Sequence, residues 1–202
     1  MRATNANRRT KKTRHRLHKA LLSRILEKPY ESITVQEILD RADIGRSTFY
    51  THFRGKDELL VAGFQSFKAS LDALEASSAG SFTRPHERIV ACSRAMFEHA
   101  REYRDVHRAL NASRAEVIVH RHLRAVFVDI IGRRVESELR RARRRDACPS
   151  SELLTLFLVS TQVALLNWWL AARNPMSVDE IDAAYRRLVV PVLISIFGAP
   201  DP

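Results

Sequence analysis

Residues 34–56 read TVQEILDRADIGRSTFYTHFRGK and predict two short helices joined by a tight turn. Thr34 and Glu37 have the spacing of a capping box, in which each side chain satisfies an otherwise unpaired amide at the helix start. Asp43 is a residue type that tolerates the left-handed backbone of a tight turn. Gly45 can serve as the N-cap of the second helix. An apolar stripe runs along one face of the first helix: Val35, Ile38, Leu39 and Ala42.

The second helix has one apolar face and one polar face. Phe49 and Phe53 are four residues apart and are predicted to pack inward with Ile44. The residues left to face outward are Arg46, Ser47, Thr48, Tyr50 and His52. Hydroxyl groups, an arginine and an aromatic ring on a short helix suit the base edges and phosphates of a DNA major groove. The alternative interpretation is a surface helix of an ordinary helical bundle.

The charge of the chain favours polyanionic partners. Lys and Arg number 34 against 23 Asp and Glu, which gives a formal net charge of +11 and suits nucleic acid or an anionic membrane face. Residues 1–14 are predicted to be a basic arm, disordered when free, that follows phosphates or enters the minor groove. Lys12 and Arg14 are its predicted DNA contacts. The alternative is a merely solubilising tail.

A family resemblance starts at the turn. Residues 42–53, ADIGRSTFYTHF, followed by Lys56 and Leu59, resemble the signature of the TetR family of transcriptional regulators. The resemblance implies an all-α fold, with an N-terminal three-helix DNA-binding head that contains the helix-turn-helix, followed by a helical ligand-binding and dimerisation body. The close match covers roughly residues 15–60. Beyond them the similarity is one of length and helical layout.

The resemblance also implies roles for individual residues. Phosphate contacts are implied for Thr34 and Lys56, and contacts with the DNA backbone for Tyr50 and His52. Base edges would be approached by Arg46, Ser47 and Thr48. Two positions depart from the family pattern, which usually has Gly where Asp43 stands and a hydroxyl residue where Gly45 stands. Gly45 still caps the helix but offers no side-chain contact to phosphate, and Asp43 brings a negative charge near the DNA.

The rest of the chain is predicted to be helical, with about nine helices in total. Gly and Pro are sparse, at 6 and 7 residues, and no strand-like alternation persists. The predicted parts are the basic arm at 1–14, the helix-turn-helix domain at 15–57 and the body at 58–202. Helix 1 is expected from about Thr10 to Glu27, and a long helix from about Arg114 to Arg144.

Two C-terminal segments predict a dimer. Residues 153–172 contain no charge and are long enough to span a bilayer, but polar residues such as Gln162 interrupt them. A buried or interface helix has the same composition. The last helix follows a capping box of Ser177 and Glu180. Because each of these helices has more apolar surface than one subunit can cover, we expect a homodimer through residues 151–197, broken by Trp169→Asp or Leu188→Asp.

A pocket for a small-molecule effector is expected in the body. Aromatic and sulfur side chains of the middle helices can line an apolar cavity, although each also fits plain core. The predicted lining residues are Phe67, Met96, Phe97, Tyr103, Phe127 and Trp168.

Catalysis is not expected. No nucleophile motif, phosphate-binding loop or zinc-ligand spacing occurs, so the sequence predicts no enzyme, metal or cofactor. Two cysteines, Cys92 and Cys148, suit a reducing cytoplasm. The sequence thus predicts a cytoplasmic, ligand-responsive repressor that binds a palindromic operator as a homodimer. The alternatives are a non-specific basic nucleic-acid-binding protein and a single-span membrane-associated protein.

Overall fold

The computed structural model describes residues 2–77, 82–111, 113–142, 149–172 and 176–198, with side chains from residue 8 onward. Within these ranges the chain forms ten α-helices and one 3-10 turn (Tyr30–Ser32) and contains no strand, which confirms the all-α prediction. The helices are α1 (Arg2–Ile25), α2 (Val35–Ala42), α3 (Arg46–His52), α4 (Lys56–Ser77), α5 (Pro85–Val90), α6 (Ser93–Glu102), α7 (Arg104–Leu110), α8 (Arg114–Arg141), α9 (Ser151–Ala171) and α10 (Val178–Phe197).

The start of the chain differs from its prediction. Helix α1 begins at Arg2, so it includes most of the stretch at 1–14 that was expected to be a disordered arm. The physical reason is that no Gly or Pro interrupts the segment before Pro29, while Ala, Lys and Arg are all good helix formers.

One helix more than expected arises from a break at Ala91 and Cys92. The carbonyl groups that lose their helical partners there are bonded by side chains instead. Val90 O accepts from Ser93 Oγ at 2.9 Å and from Arg186 Nη2 at 3.1 Å. The break is therefore held by residues far away in the sequence, which local helix periodicity does not reveal.

The chain divides into two compact units. The head unit comprises the described residues of Met1–Ser66 and Asp105–His122, and the body unit those of Phe67–Arg104 and Leu123–Pro202. The predicted boundary at residue 57 lies before the division at Ser66, and the prediction did not assign any part of 105–122 to the head. Helices α4 and α8 each have residues in both units.

The head unit has its own core. Leu17 and Leu21 of α1 are fully buried together with Ile38 of α2 and Phe49 of α3. The same cluster includes residues of α7 and α8, namely Leu110, Ala115 and Val119. The helix-turn-helix thus rests on α1 from the start of the chain and on a segment from its middle.

The body unit is built around contacts among α5, α6, α9 and α10. Phe97 lies at its centre, with the Trp169 ring 5.9 Å away and the Tyr185 ring 6.3 Å away, both near perpendicular. The Trp169 indole N–H donates to Met176 O at 2.7 Å. This geometry, an apolar ring with its polar edge satisfied, is the usual way to bury tryptophan.

Candidate functional site

Helix α3 is set by the turn that precedes it. Asp43 has φ 50° and ψ 57°, the left-handed conformation expected for this position. Its backbone N–H bonds Asp40 O, and that of Ile44 bonds Leu39 O at 3.2 Å, which closes the end of α2. Gly45 then caps α3 without a side-chain hydrogen bond. The residues after it are therefore free to face outward from the first turn.

The outer face of α3 is available to a partner. Arg46, Ser47, Thr48 and Tyr50 are exposed, while Phe49 is buried and Phe53 packs beside it with ring centroids 5.8 Å apart. Among the described residues the side chains of Arg46, Ser47 and Thr48 make no hydrogen bond or ion pair, and only the Ser47 carbonyl is engaged, accepting from the Thr51 hydroxyl at 2.9 Å. The structure thus brings the three predicted base-reading residues together on one exposed turn.

Thr34 is already engaged within the head. Its hydroxyl accepts from Glu37 N at 3.3 Å, and its N–H donates to Glu37 Oε2 at 2.8 Å, so the predicted capping box is present. Hydrogen bonding from Lys28, and then from Thr34, lowers the pKa of Glu37 to about 2. Glu37 is therefore charged at neutral pH, and it holds the end of α2 that a phosphate would approach.

Lys56 has more contacts within the head than Thr34 has. Its Nζ donates to the carbonyls of Tyr30, Glu31 and Ile33 at 2.6, 3.2 and 2.8 Å and lies 4.5 Å from the centre of the Tyr30 ring. Desolvation by burial is the largest influence on the pKa of Lys56 and lowers it. An ammonium group has three N–H donors, and all three are used here. Lys56 can bind a phosphate only by releasing one of these carbonyls.

The cations of α1 differ in their surroundings. Lys12 is exposed. Arg14 lies 5.0 Å above the Phe53 ring and donates to Gln65 Oε1 at 3.3 Å, so it braces the end of α3. Arg16, which sequence reasoning did not single out, pairs with the exposed carboxylate of Asp43 at 3.3 Å. The negative charge of Asp43, which departs from the family pattern, is therefore paired within the head.

In the body unit, five of the six predicted effector-binding residues are buried or half-buried. Four of them are buried: Phe67, Met96, Phe97 and Phe127. Phe67 stacks on His99 with ring centroids 3.7 Å apart, and His99 lies 4.6 Å from the ring of half-buried Tyr103. Trp168 is a correction, because its side chain is 58% exposed whereas that of Trp169 is 1% exposed. One residue is about 100° of rotation on a helix, so only one of the two neighbours faces the core.

Cys92 is a buried core residue. Arg134 Nη2 lies 2.8 Å from its Sγ, but burial is the larger influence and raises the pKa of the thiol. A protonated, buried thiol is a poor nucleophile. Cys148 and the arginines at 143–145 lie outside the described residues.

Comparison with known proteins agrees with this geometry. Residues 19–62, which include α2, α3 and the start of α4, match the TetR family of bacterial regulatory proteins. The DNA-binding head of the chain is therefore of the TetR type. An uncharacterized HTH-type transcriptional regulator of Bacillus subtilis, YxbF, is 42% identical over 60 residues, which are 29% of this chain and 16% of that protein.

Solved structures of TetR-family regulators share the fold of this chain over most of its length. A TetR-family regulator structure from Syntrophomonas wolfei superposes with a TM-score of 0.74 at 14% identity, covering 91% of this chain and 96% of that one. The regulator RolR, solved with its ligand resorcinol, gives a TM-score of 0.55 at 21% identity, covering 97% and 98%. Identities this low establish the fold. TetR-family regulators are transcription factors and not enzymes, in agreement with the prediction for this chain.

Proposed function

We propose that this TetR-family regulator is a cytoplasmic repressor that binds a near-palindromic operator as a homodimer and is released by a small-molecule effector. The observation that carries the proposal is the exposed turn of α3, where Arg46, Ser47 and Thr48 have no side-chain partner among the described residues. Polar side chains at the N-terminal end of a recognition helix are the groups that reach base edges in the major groove.

A dimer is supported by the apolar surface of α9 and α10. These helices pack on each other, yet both leave large apolar side chains exposed, with Trp168 at 58% and Leu188 at 56%. The exposed set is Leu153, Leu156, Phe157, Trp168, Leu188 and Val192. An apolar patch of this kind marks an interaction surface in a soluble protein. A second copy of the same helix pair is self-complementary and gives a closed, two-fold dimer.

Dimerisation is what makes recognition selective. One helix as short as α3 reads few base pairs, whereas a two-fold dimer presents a copy of it to each half of a near-palindromic site. The positive charge of α1 adds affinity that does not depend on sequence.

Effector control is supported by the course of α4. This helix starts at Lys56 in the head unit and continues into the body unit, so a conformational change in the body can be transmitted along it to the head. RolR, which has the same fold, carries resorcinol as its ligand. By analogy, we propose an effector site in the body among the predicted aromatic residues. Such an effector acts only if it binds the DNA-competent and the released conformations with different affinity.

The membrane alternative rests on α9 alone. By length and composition this helix can cross a bilayer, but core helices of soluble proteins pass the same test. In the structure α9 packs against α6 and α10. Partition of the purified chain between buffer and phospholipid vesicles tests this alternative. A chain that stays in the buffer without detergent favours the dimer-interface interpretation of α9.

The proposal is tested by competition between DNA sequences. At constant salt, the chain should bind the DNA beside its own gene at least roughly a thousandfold more tightly than random duplex of equal length. Equal affinity for both, with a steep loss as salt rises, would instead identify a non-specific basic binder.

A further inference from the structure

The body core contains a fully buried polar side chain, Gln162, for which the described residues supply no hydrogen-bond partner. Gln162 of α9 is 0% exposed, and neither its Nε2 nor its Oε1 has a hydrogen-bond partner in the part of the chain that the structure describes. An amide buried with both ends unpaired costs more than a typical hydrogen bond gains, so such groups are rare and call for an explanation.

The other buried polar groups of this unit show how unusual Gln162 is. Ser93 bonds Asp182, and Arg186 donates to the same carboxylate at 2.7 Å. Glu138 receives two hydrogen bonds from Arg88, at 2.8 and 2.6 Å. These two carboxylates are therefore fully engaged, and Arg134, which lacks a hydrogen bond at Nε, still has Glu75 Oε1 3.4 Å from that atom. Gln162 differs because both ends of its amide lack a partner.

The position of Gln162 also excludes the dimer partner as its missing contact. Its side chain is already inaccessible in the single subunit, whereas the exposed face of α9 carries Leu153, Leu156 and Trp168. On the inner face, Thr155 lies against Gly132 of α8, where an added Cβ would be 3.6 Å from Thr155 Cγ2. Gln162 follows Thr155 by about two helical turns, on the same face.

The surroundings define what the amide can bind. Leu158 and Leu166, one turn before and one turn after Gln162, are both buried. A charged ligand would lose its hydration beside these apolar side chains, which is costly. The amide itself presents a donor and an acceptor side by side, which match a group that carries an acceptor and a donor in the same arrangement.

We propose that Gln162 is the polar anchor of the effector, and that the effector is an uncharged molecule with an apolar body and an amide-like edge, such as a carboxamide, lactam or imide. This inference rests on the proposed effector response and adds its chemical class. Binding supplies both missing hydrogen bonds and thereby stabilises the body unit in the bound conformation.

The experiment uses thermal unfolding of the full-length chain with benzamide as the probe, benzoate as its charged analogue and toluene as its apolar analogue. At about ten times its Kd, benzamide should raise the Tm of the unmodified chain by about 3 °C, and the two analogues should raise it much less. The shift should vanish in Gln162→Met. The matched control is Gln65→Leu, which removes an exposed amide from the head unit. This variant should retain the benzamide-induced shift in Tm.

The substitution also has an effect without any probe. Gln162→Met keeps the side-chain volume and removes the unpaired amide, so it should raise the Tm by about 2 to 4 °C. Gln162→Leu should act in the same direction. If both variants lower the Tm, the amide has protein partners in solution and the proposal is wrong. It is equally wrong if benzamide gives no shift, if the analogues match it, or if its shift persists in Gln162→Met.

DNA binding is measured on the same samples. If the unmodified chain shows no sequence preference while the benzamide shift depends on Gln162, the proposed repressor function fails and the ligand site stands. If sequence preference is present and the benzamide shift is absent, the proposed ligand site fails and the repressor function stands.

Discussion

Two surfaces of this regulator consist of side chains that lack partners in their own subunit, and they differ in chemistry. The outer face of α3 is small, polar and cationic, with Arg46, Ser47 and Thr48 exposed together. The outer face of α9 and α10 is apolar, with Trp168 and Leu188 exposed. The first surface suits DNA and the second suits another copy of the chain. Because the first is too small to be selective alone, the proposed function requires both.

The largest expected effect comes from the apolar surface. Leu188→Asp buries a charge at the proposed interface, so the chain should become monomeric in sedimentation and lose about a thousandfold in affinity for its specific DNA. Weak, non-sequence-specific binding should persist. Leu26→Asp is the matched control, since Leu26 is 55% exposed and lies outside α9 and α10. A monomeric Leu188→Asp variant with unchanged specific affinity would contradict the account.

The second effect separates Lys56 from the DNA surface. Lys56→Met leaves the carbonyls of Tyr30, Glu31 and Ile33 without their donor, so the free energy of unfolding should fall by about 2 to 3 kcal/mol in urea titration. Lys12→Met, which removes an exposed cation, should change it by less than about 0.5 kcal/mol. If Lys56→Met keeps full stability and only weakens binding to all DNA, Lys56 is a phosphate clamp after all.

A smaller effect is expected on the polar surface itself. Thr48→Ala should leave stability unchanged, because the hydroxyl is exposed, while discrimination among operator variants falls by about tenfold at the base pair it contacts. Binding to a series of single-base operator variants measures this. A uniform loss across the series would assign Thr48 to the DNA backbone instead.

A further effect concerns the pH dependence of the head. Burial lowers the pKa of His18 to about 4, and the imidazole fills the space beside Gly63 where a Cβ would overlap it. An unfolded histidine titrates near 6.5, so only the unfolded chain binds this proton between the two values. Stability should therefore fall as the pH decreases from about 6.5 to about 4.

The measurement is Tm against pH for the unmodified chain and for His18→Gln. The variant should show a shallower decrease in that window, since it lacks the histidine. His52→Gln, at the outer face of α3, should follow the unmodified chain. An unchanged slope in His18→Gln would mean that other groups control the acid stability.

Much of the head was predictable because its signals are local. The Thr34–Glu37 capping box, the left-handed turn at Asp43 and the inward Phe49 all follow from spacings within one or two helical turns, and the structure contains them. The role of Lys56 was not predictable in the same way. Its three carbonyl partners lie more than 20 positions earlier in the chain, in the 3-10 turn Tyr30–Ser32 and directly after it. No sequence motif predicts that turn.

The body was predictable only in outline. Uniformly apolar sequence such as α9 has no strong periodicity, so spacing did not show that Trp169 faces the core while Trp168 is exposed. The helix break at Cys92 depends on Arg186, and residues 105–122 join the head through packing and through Arg114, whose N–H donates to Glu31 Oε1 at 2.9 Å. Each of these features rests on partners distant in sequence, which composition and spacing do not encode.

Footprinting on the DNA beside the gene shows whether the two surfaces act together. We expect two protected half-sites with centres roughly one helical turn (about 10 base pairs) or a multiple of it apart, and their loss in Leu188→Asp at the same concentration. Uniform protection of all DNA, or the same paired footprint from the monomeric variant, would contradict this expectation.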